Sequence, residues 1–78
     1  MFAERIAKLT EKEREVLRLV QRRLTSKEIA PRLGITIDAV DARIKNATRK
    51  LGIPDRGKAA LVLADFEAEE AYPQQVYL

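Results

Sequence analysis

Asp38, Ala42, Lys45 and Arg49 recur at steps of four, three and four residues, the spacing that gathers side chains on one face of an α-helix. Val40, Ile44, Ala47 and Leu51 run through the same stretch. With Val40 at the centre of a buried face and 100° of rotation per residue, Ile37, Ile44, Ala47 and Leu51 fall beside it. The polar set then falls roughly opposite. A free face that offers short and long polar groups, with only a methyl for bulk, can enter the major groove of DNA, where base edges are read by such side chains. Any surface helix is charged on its free side, so the pattern takes its meaning from its neighbours.

Two capped helices joined by one glycine supply that setting over residues 25–51. Thr25 and Glu28 have the spacing of a capping box, and Leu24 outside the cap can pack on Ile29 inside it. Ile29, Ala30 and Leu33 share a face, and Gly34 tolerates the left-handed conformation that stops a helix. Thr36 starts the second helix, with Ile35 and Val40 at the spacing of a hydrophobic staple. Its hydroxyl is worth about 1 kcal/mol as a cap, and a phosphate at that helix N-terminus would give it a second role. Pro31 removes one hydrogen bond, to the Lys27 carbonyl, and predicts a local kink.

Upstream, Thr10 and Glu13 repeat the capping box, and Val16, Leu17 and Val20 predict a helix over about 11–22 that ends in Gln21, Arg22 and Arg23. Residues 1–8 also read as helix, with Phe2 and Ile6 four apart, but so short a piece needs tertiary contacts to persist. Downstream, Gly52 stops the second helix of the pair, Ile53-Pro54 prevents its continuation, and Asp55 restarts helix over about 56–70. Leu61 lies nearly opposite Leu63 there, so one buried face cannot absorb every apolar residue. This surplus suggests self-association, with Leu61, Val62 and Phe66 as the dimer contact; wrapping of the domain's own core, or a neighbour outside this sequence, is the rival reading. Residues 67–78 turn acidic and polar and read as a tail or linker, ending in Val76, Tyr77 and Leu78 as if a further region followed.

Seventy-eight residues make one small domain, here 1–66 plus the tail, near the size where a single core is marginal. The absence of cysteine and histidine excludes disulfides, the commonest zinc sites and histidine-based catalytic dyads or triads. No cofactor is expected, and an enzyme is disfavoured because the carboxylates are better explained as caps and first-turn dipole partners. The longest apolar run, Ala59 to Ala64, falls far short of the ~20 residues of a membrane span, and the N-terminus lacks a signal-peptide apolar region. A soluble cytoplasmic chain is expected. The net charge of +3 hides an asymmetry: residues 1–58 hold all 15 Lys and Arg against 8 acids, while residues 59–78 hold 4 acids and no base. Positive charge concentrated on the part that contains the paired helices is the footprint expected for a polyanion partner, with a basic helical domain that is simply soluble as the rival reading.

Over about Leu9 to Ala64 the chain resembles the LuxR-type helix-turn-helix family, also called the GerE or FixJ/NarL type. The residues that carry the resemblance are Leu9-Thr10-x-x-Glu13-Arg14-Glu15-Val16-Leu17, then Ser26-Lys27-Glu28-Ile29-Ala30-x-x-Leu33-Gly34-Ile35, then Val40, and Lys50-Leu51-Gly52-Ile53 with Arg56 and Ala59-Ala60. The resemblance implies an all-α, compact four-helix domain, here with a short extra helical segment at the N-terminus. It also implies transcriptional regulation by a homodimer on double-stranded DNA, with the helix at 37–50 in the major groove and the last helix at the dimer contact. RNA polymerase, or a regulatory region outside this sequence, would be a further partner.

By position, the family's base-reading slots fall on Asp41, Ala42 and Lys45, with Arg49 and Lys27 at phosphates. Thr36, Asp38, Arg43 and Asn46 complete the candidate DNA contacts. Lys27 sits in the first turn of its helix, where a cation opposes the macrodipole, and a nearby phosphate would explain it; a flexible surface lysine is its rival. Asp41 departs from the basic or neutral residue frequent at its position. It repels phosphates but can accept from cytosine N4. Arg43 replaces a frequent histidine and can reach a phosphate or pair with Asp38 or Asp41. Two other readings compete: region four of bacterial sigma factors, against which the Lys50-to-Ala60 ending argues, and a helix-turn-helix used to dock another protein.

Overall fold

Thr10, Thr25 and Thr36 each take an extended backbone conformation and start a helix in the computed structural model, which describes residues 2–71. The elements are α1 (Phe2–Ile6), α2 (Glu11–Gln21), α3 (Ser26–Leu33), α4 (Ile37–Leu51) and α5 (Arg56–Ala71), with no strand among the described residues. The chain is all-α, as expected. Both capping boxes close reciprocally: Thr10 accepts from the Glu13 N–H while Glu13 accepts from the Thr10 N–H, and Thr25 and Glu28 do the same. Thr36 accepts from the Ala39 N–H at 3.0 Å, and Asp55 caps α5 by accepting from the Lys58 N–H at 2.9 Å. Orphan donors at four helix starts are thereby satisfied.

Three helix ends share one geometry. A left-handed residue follows each within two positions, and the N–H after it reaches back to a carbonyl five residues earlier: Leu24 to Leu19, Ile35 to Ala30, and Ile53 to Thr48. Gly34 (φ 67°) and Gly52 (φ 72°) supply two of these positions. The third is Arg23, at φ 64° the only non-glycine with positive φ among the described residues. The α3 helix continues to Leu33 with Pro31 inside it.

Two packed clusters share α2 and α4. Ile6, Leu9, Leu17, Ala47, Leu51, Ala59, Ala60 and Leu63 join α1 and α5 to the domain. Val16, Ile29, Ala30, Val40 and Ile44 hold α3 against α4, and Val20 packs on both clusters. The staples are built as the spacing predicts, since Leu24 and Ile35 pack on the cluster that contains Ile29 and Val40. The helical wheel misplaces Ile37, which is 43% exposed. It is the first residue of α4, and the core position at that end is taken by Ile35, outside the helix.

The short α1 finds the contacts its length demands. Ile6 is buried, Arg5 donates to the Leu51 carbonyl at 3.0 Å, and Arg14 donates to the Ile6 carbonyl at 3.1 Å. At the other end, helix continues through the first residues of the stretch read as a tail. Glu67 is clamped to α2, accepting from Arg18 Nε at 3.1 Å and Arg18 Nη2 at 2.7 Å, with Arg14 3.8 Å away. Two carboxylates, Glu67 and Glu11, hold the Arg18 guanidinium well above its ordinary pKa. The tail from residue 72 onward lies outside the described residues.

Candidate nucleic-acid interface

The recognition face proposed from the sequence is carried by α4, and its orientation follows from packing. Val40, Ile44, Ala47, Thr48 and Leu51 are buried, so Asp38, Asp41, Ala42, Lys45 and Arg49 are turned to solvent. Thr48 keeps its buried hydroxyl satisfied by donating to the Lys45 carbonyl at 3.0 Å. Arg43 and Asn46 flank the face and are half-buried. Lys27 is exposed in the first turn of α3, and Thr36 is exposed at the cap of α4.

Charge on this face is unevenly committed. Among the described residues, the side chains of Lys27, Arg43, Lys45 and Arg49 enter no hydrogen bond or ion pair, which leaves four cations available to an anion. Arg43 thus makes neither of the pairings open to it in the sequence, to Asp38 or to Asp41. Asp41 is engaged instead by two residues from other helices: Ser26 Oγ donates to its Oδ1, and Arg56 Nη2 lies 3.6 Å from the same oxygen. Arg56 Nη1 also donates to Ser26 Oγ at 2.8 Å. The three residues stand 15 apart in each step, a separation at which no helical periodicity brings side chains together, so sequence spacing gave no sign of the cluster.

The back of α4 is fixed to the body. Lys50 Nζ donates to Glu13 Oε1 at 2.8 Å and to the Lys8 carbonyl at 3.2 Å. Burial pushes the Glu13 carboxyl up, but Lys50 and the Thr10 N–H outweigh it and hold the pKa below the usual glutamate value. Glu28 is also lowered, chiefly by the Thr25 N–H, and Glu11 by Arg18.

The three residues assigned to a dimer contact are not equivalent. Leu61 is 60% exposed, while Val62 and Phe66 are partly buried against the domain's own core. Leu61 lines a surface groove with Val20, Leu24 and Ala64, edged by Arg23 and Arg56.

A capped helix pair, a solvent-facing side of its second member with uncommitted cations and a helix on each side form one unit, and the sequence profile of bacterial regulatory proteins of the luxR family matches residues 7–63 of it. The chain belongs to the luxR family. It is 44% identical over 55 residues to the spore germination protein GerE of Bacillus subtilis (strain 168), covering 70% of this chain and 74% of that protein. No solved structure gives a significant match. Membership makes this a DNA-binding regulatory domain, and the luxR family is not a family of enzymes. No helix among the described residues is long and apolar enough to cross a membrane.

Proposed function

We propose that this domain binds double-stranded DNA sequence-specifically in the bacterial cytoplasm by laying the outer face of α4 in the major groove. The carrying observation is the pairing of Lys45 and Arg49, exposed and uncommitted, with the small Ala42 on one rigid face. A bulky residue in place of Ala42 would keep the helix from the base edges; its methyl suits contact with a thymine methyl. Lys27 and Thr36, at the starts of α3 and α4, stand where backbone phosphates approach helix N-termini.

Two copies meeting through Leu61 of α5 would present two α4 helices to an imperfect palindrome, with half-sites about 34–36 Å apart. Support for this contact is the exposure of Leu61 beside an apolar groove. Such a dimer regulates transcription by occupying its site, alone or with a regulatory region or RNA polymerase.

Fluorescence anisotropy of a labelled mixed-sequence duplex, titrated at several salt concentrations, tests the DNA reading. Binding that weakens with a log–log slope of about −0.9 for each neutralised phosphate supports it. No binding at low salt refutes it and favours a protein-docking module.

A further inference from the structure

Asp41 occupies the middle of the surface that should meet DNA, where a carboxylate repels phosphates. Its surroundings account for its presence. Ser26 opens α3, Asp41 lies in the second turn of α4 and Arg56 opens α5, so the cluster ties three helices together beside the reading face. The hydroxyl proton of Ser26 goes to Asp41, which leaves the Ser26 oxygen free to accept from Arg56. Arg56 needs an acid there, because a cation in the first turn of a helix opposes the macrodipole. Both partners of the ion pair are about half exposed, at 44% and 50%, so the contact is weak enough to open.

Resting on the DNA-binding reading of α4, we infer that Asp41 is the internal counter-ion of Arg56. Held with it through Ser26, Asp41 withholds Arg56 from the phosphates beside the groove. Asp41 then acts by positioning and not by reading a base. It lowers sequence-independent affinity by one phosphate contact and leaves discrimination to Ala42, Lys45 and their neighbours. A low background on non-operator DNA sharpens the choice of site even when operator affinity is modest.

A double-mutant cycle tests this with the intact chain: wild type, Asp41→Asn, Arg56→Gln and the double variant, each titrated by anisotropy on a mixed-sequence duplex across a salt series. Thermal melts read by circular dichroism establish that all four fold. The expected result is that Asp41→Asn steepens the log–log slope by about 0.9, the value of one released phosphate contact. Arg56→Gln alone leaves the slope unchanged, and the double variant returns to it. Asp41→Ala serves in place of Asn if the amide still holds Arg56, and should behave alike. The inference is overturned if neither Asp41 variant changes the slope, if the gain survives in the double variant, or if Arg56→Gln alone flattens the slope by about 0.9. The second outcome means that Asp41 repels phosphates by itself, and the third that Arg56 already touches one. Absence of wild-type binding refutes the DNA reading instead, and this assignment falls with it.

Discussion

Glu13 Oε1 receives two donors at once, the Thr10 N–H at 2.9 Å and the Lys50 ammonium at 2.8 Å, so one carboxylate both caps α2 and anchors the C-terminal turn of α4. The Glu13 side chain is nearly buried, 8% exposed, and α4 owes part of its fixed position to that oxygen. Because the folded-state pKa of Glu13 is depressed, its contribution is complete above the unfolded glutamate value of about 4.3. It is lost as pH falls through the lower folded value.

Glu13→Gln keeps the shape and the Thr10 bond but removes the charge facing Lys50. A loss of about 1–2 kcal/mol is expected at pH 7, the scale of a hydrogen bond to a charged partner. Urea unfolding at pH 7 and pH 3.5 checks it. The gap from wild type should narrow at the lower pH, which lies below the unfolded glutamate value, so that the unfolded chain takes up a proton that the native carboxylate resists. A gap independent of pH would mean that the charge on Glu13 does not contribute.

Lys45 and Arg49 should fail differently when truncated. On the proposed reading Lys45 meets a base edge, so Lys45→Ala is expected to cost on the order of 1–3 kcal/mol on the selected operator and much less on mixed sequence. Arg49→Ala should weaken all duplexes alike and flatten the salt slope by about 0.9. Both residues are exposed and unpaired, so stability should move by no more than about 0.5 kcal/mol. Anisotropy on operator and mixed duplexes separates the two effects, and unchanged affinity in the folded double variant would remove this face from DNA recognition.

The features legible in the sequence are local ones. Capping boxes at Thr10 and Thr25, staples at Leu24 and Ile35, and stops at Gly34 and Gly52 each involve residues within five positions, where helix geometry dictates who meets whom. The exposed set Asp38, Ala42, Lys45 and Arg49 followed from the same rotation. Contacts between helices were hidden. Glu67 looks like the start of an acidic tail, and only the placement of α5 beside α2 brings it to Arg18. Asp41 and Arg56 lacked any shared periodicity, and the partner for Asp41 that sequence proximity offered was Arg43, itself equally open to Asp38 or a phosphate. Ile37 shows the limit of a helical wheel, which assigns a face but not where along the helix the neighbour ends.

Arg23 marks a stop that residue type conceals, since it takes at φ 64° the position that glycine fills after α3 and α4. The left-handed conformation costs an L-residue about 1–2 kcal/mol, whereas glycine costs roughly 0.5–1 kcal/mol through the entropy of the unfolded chain. Arg23→Gly is therefore expected to stabilise the domain by about 0.5–1 kcal/mol and to raise the melting temperature by a few degrees. Arg23→Ala, which keeps the strain, is the control. Equal melting temperatures for the two variants would show that the left-handed turn stores no strain.

The proposed dimer separates Leu61 from its two neighbours. Leu61 is 60% exposed, so Leu61→Lys should leave the melting temperature of the monomer nearly unchanged, whereas Val62 and Phe66 pack on the core and their truncation should destabilise it. If α5 joins two copies, Leu61→Lys shifts sedimentation equilibrium toward monomer and lowers affinity for a two-site palindrome while leaving a single half-site untouched. Both losses must then appear together, because the proposed arrangement puts the half-site contacts on α4 and the coupling between half-sites on α5. A variant that remains dimeric, or that binds the palindrome as wild type does, would place the dimer contact elsewhere on the domain.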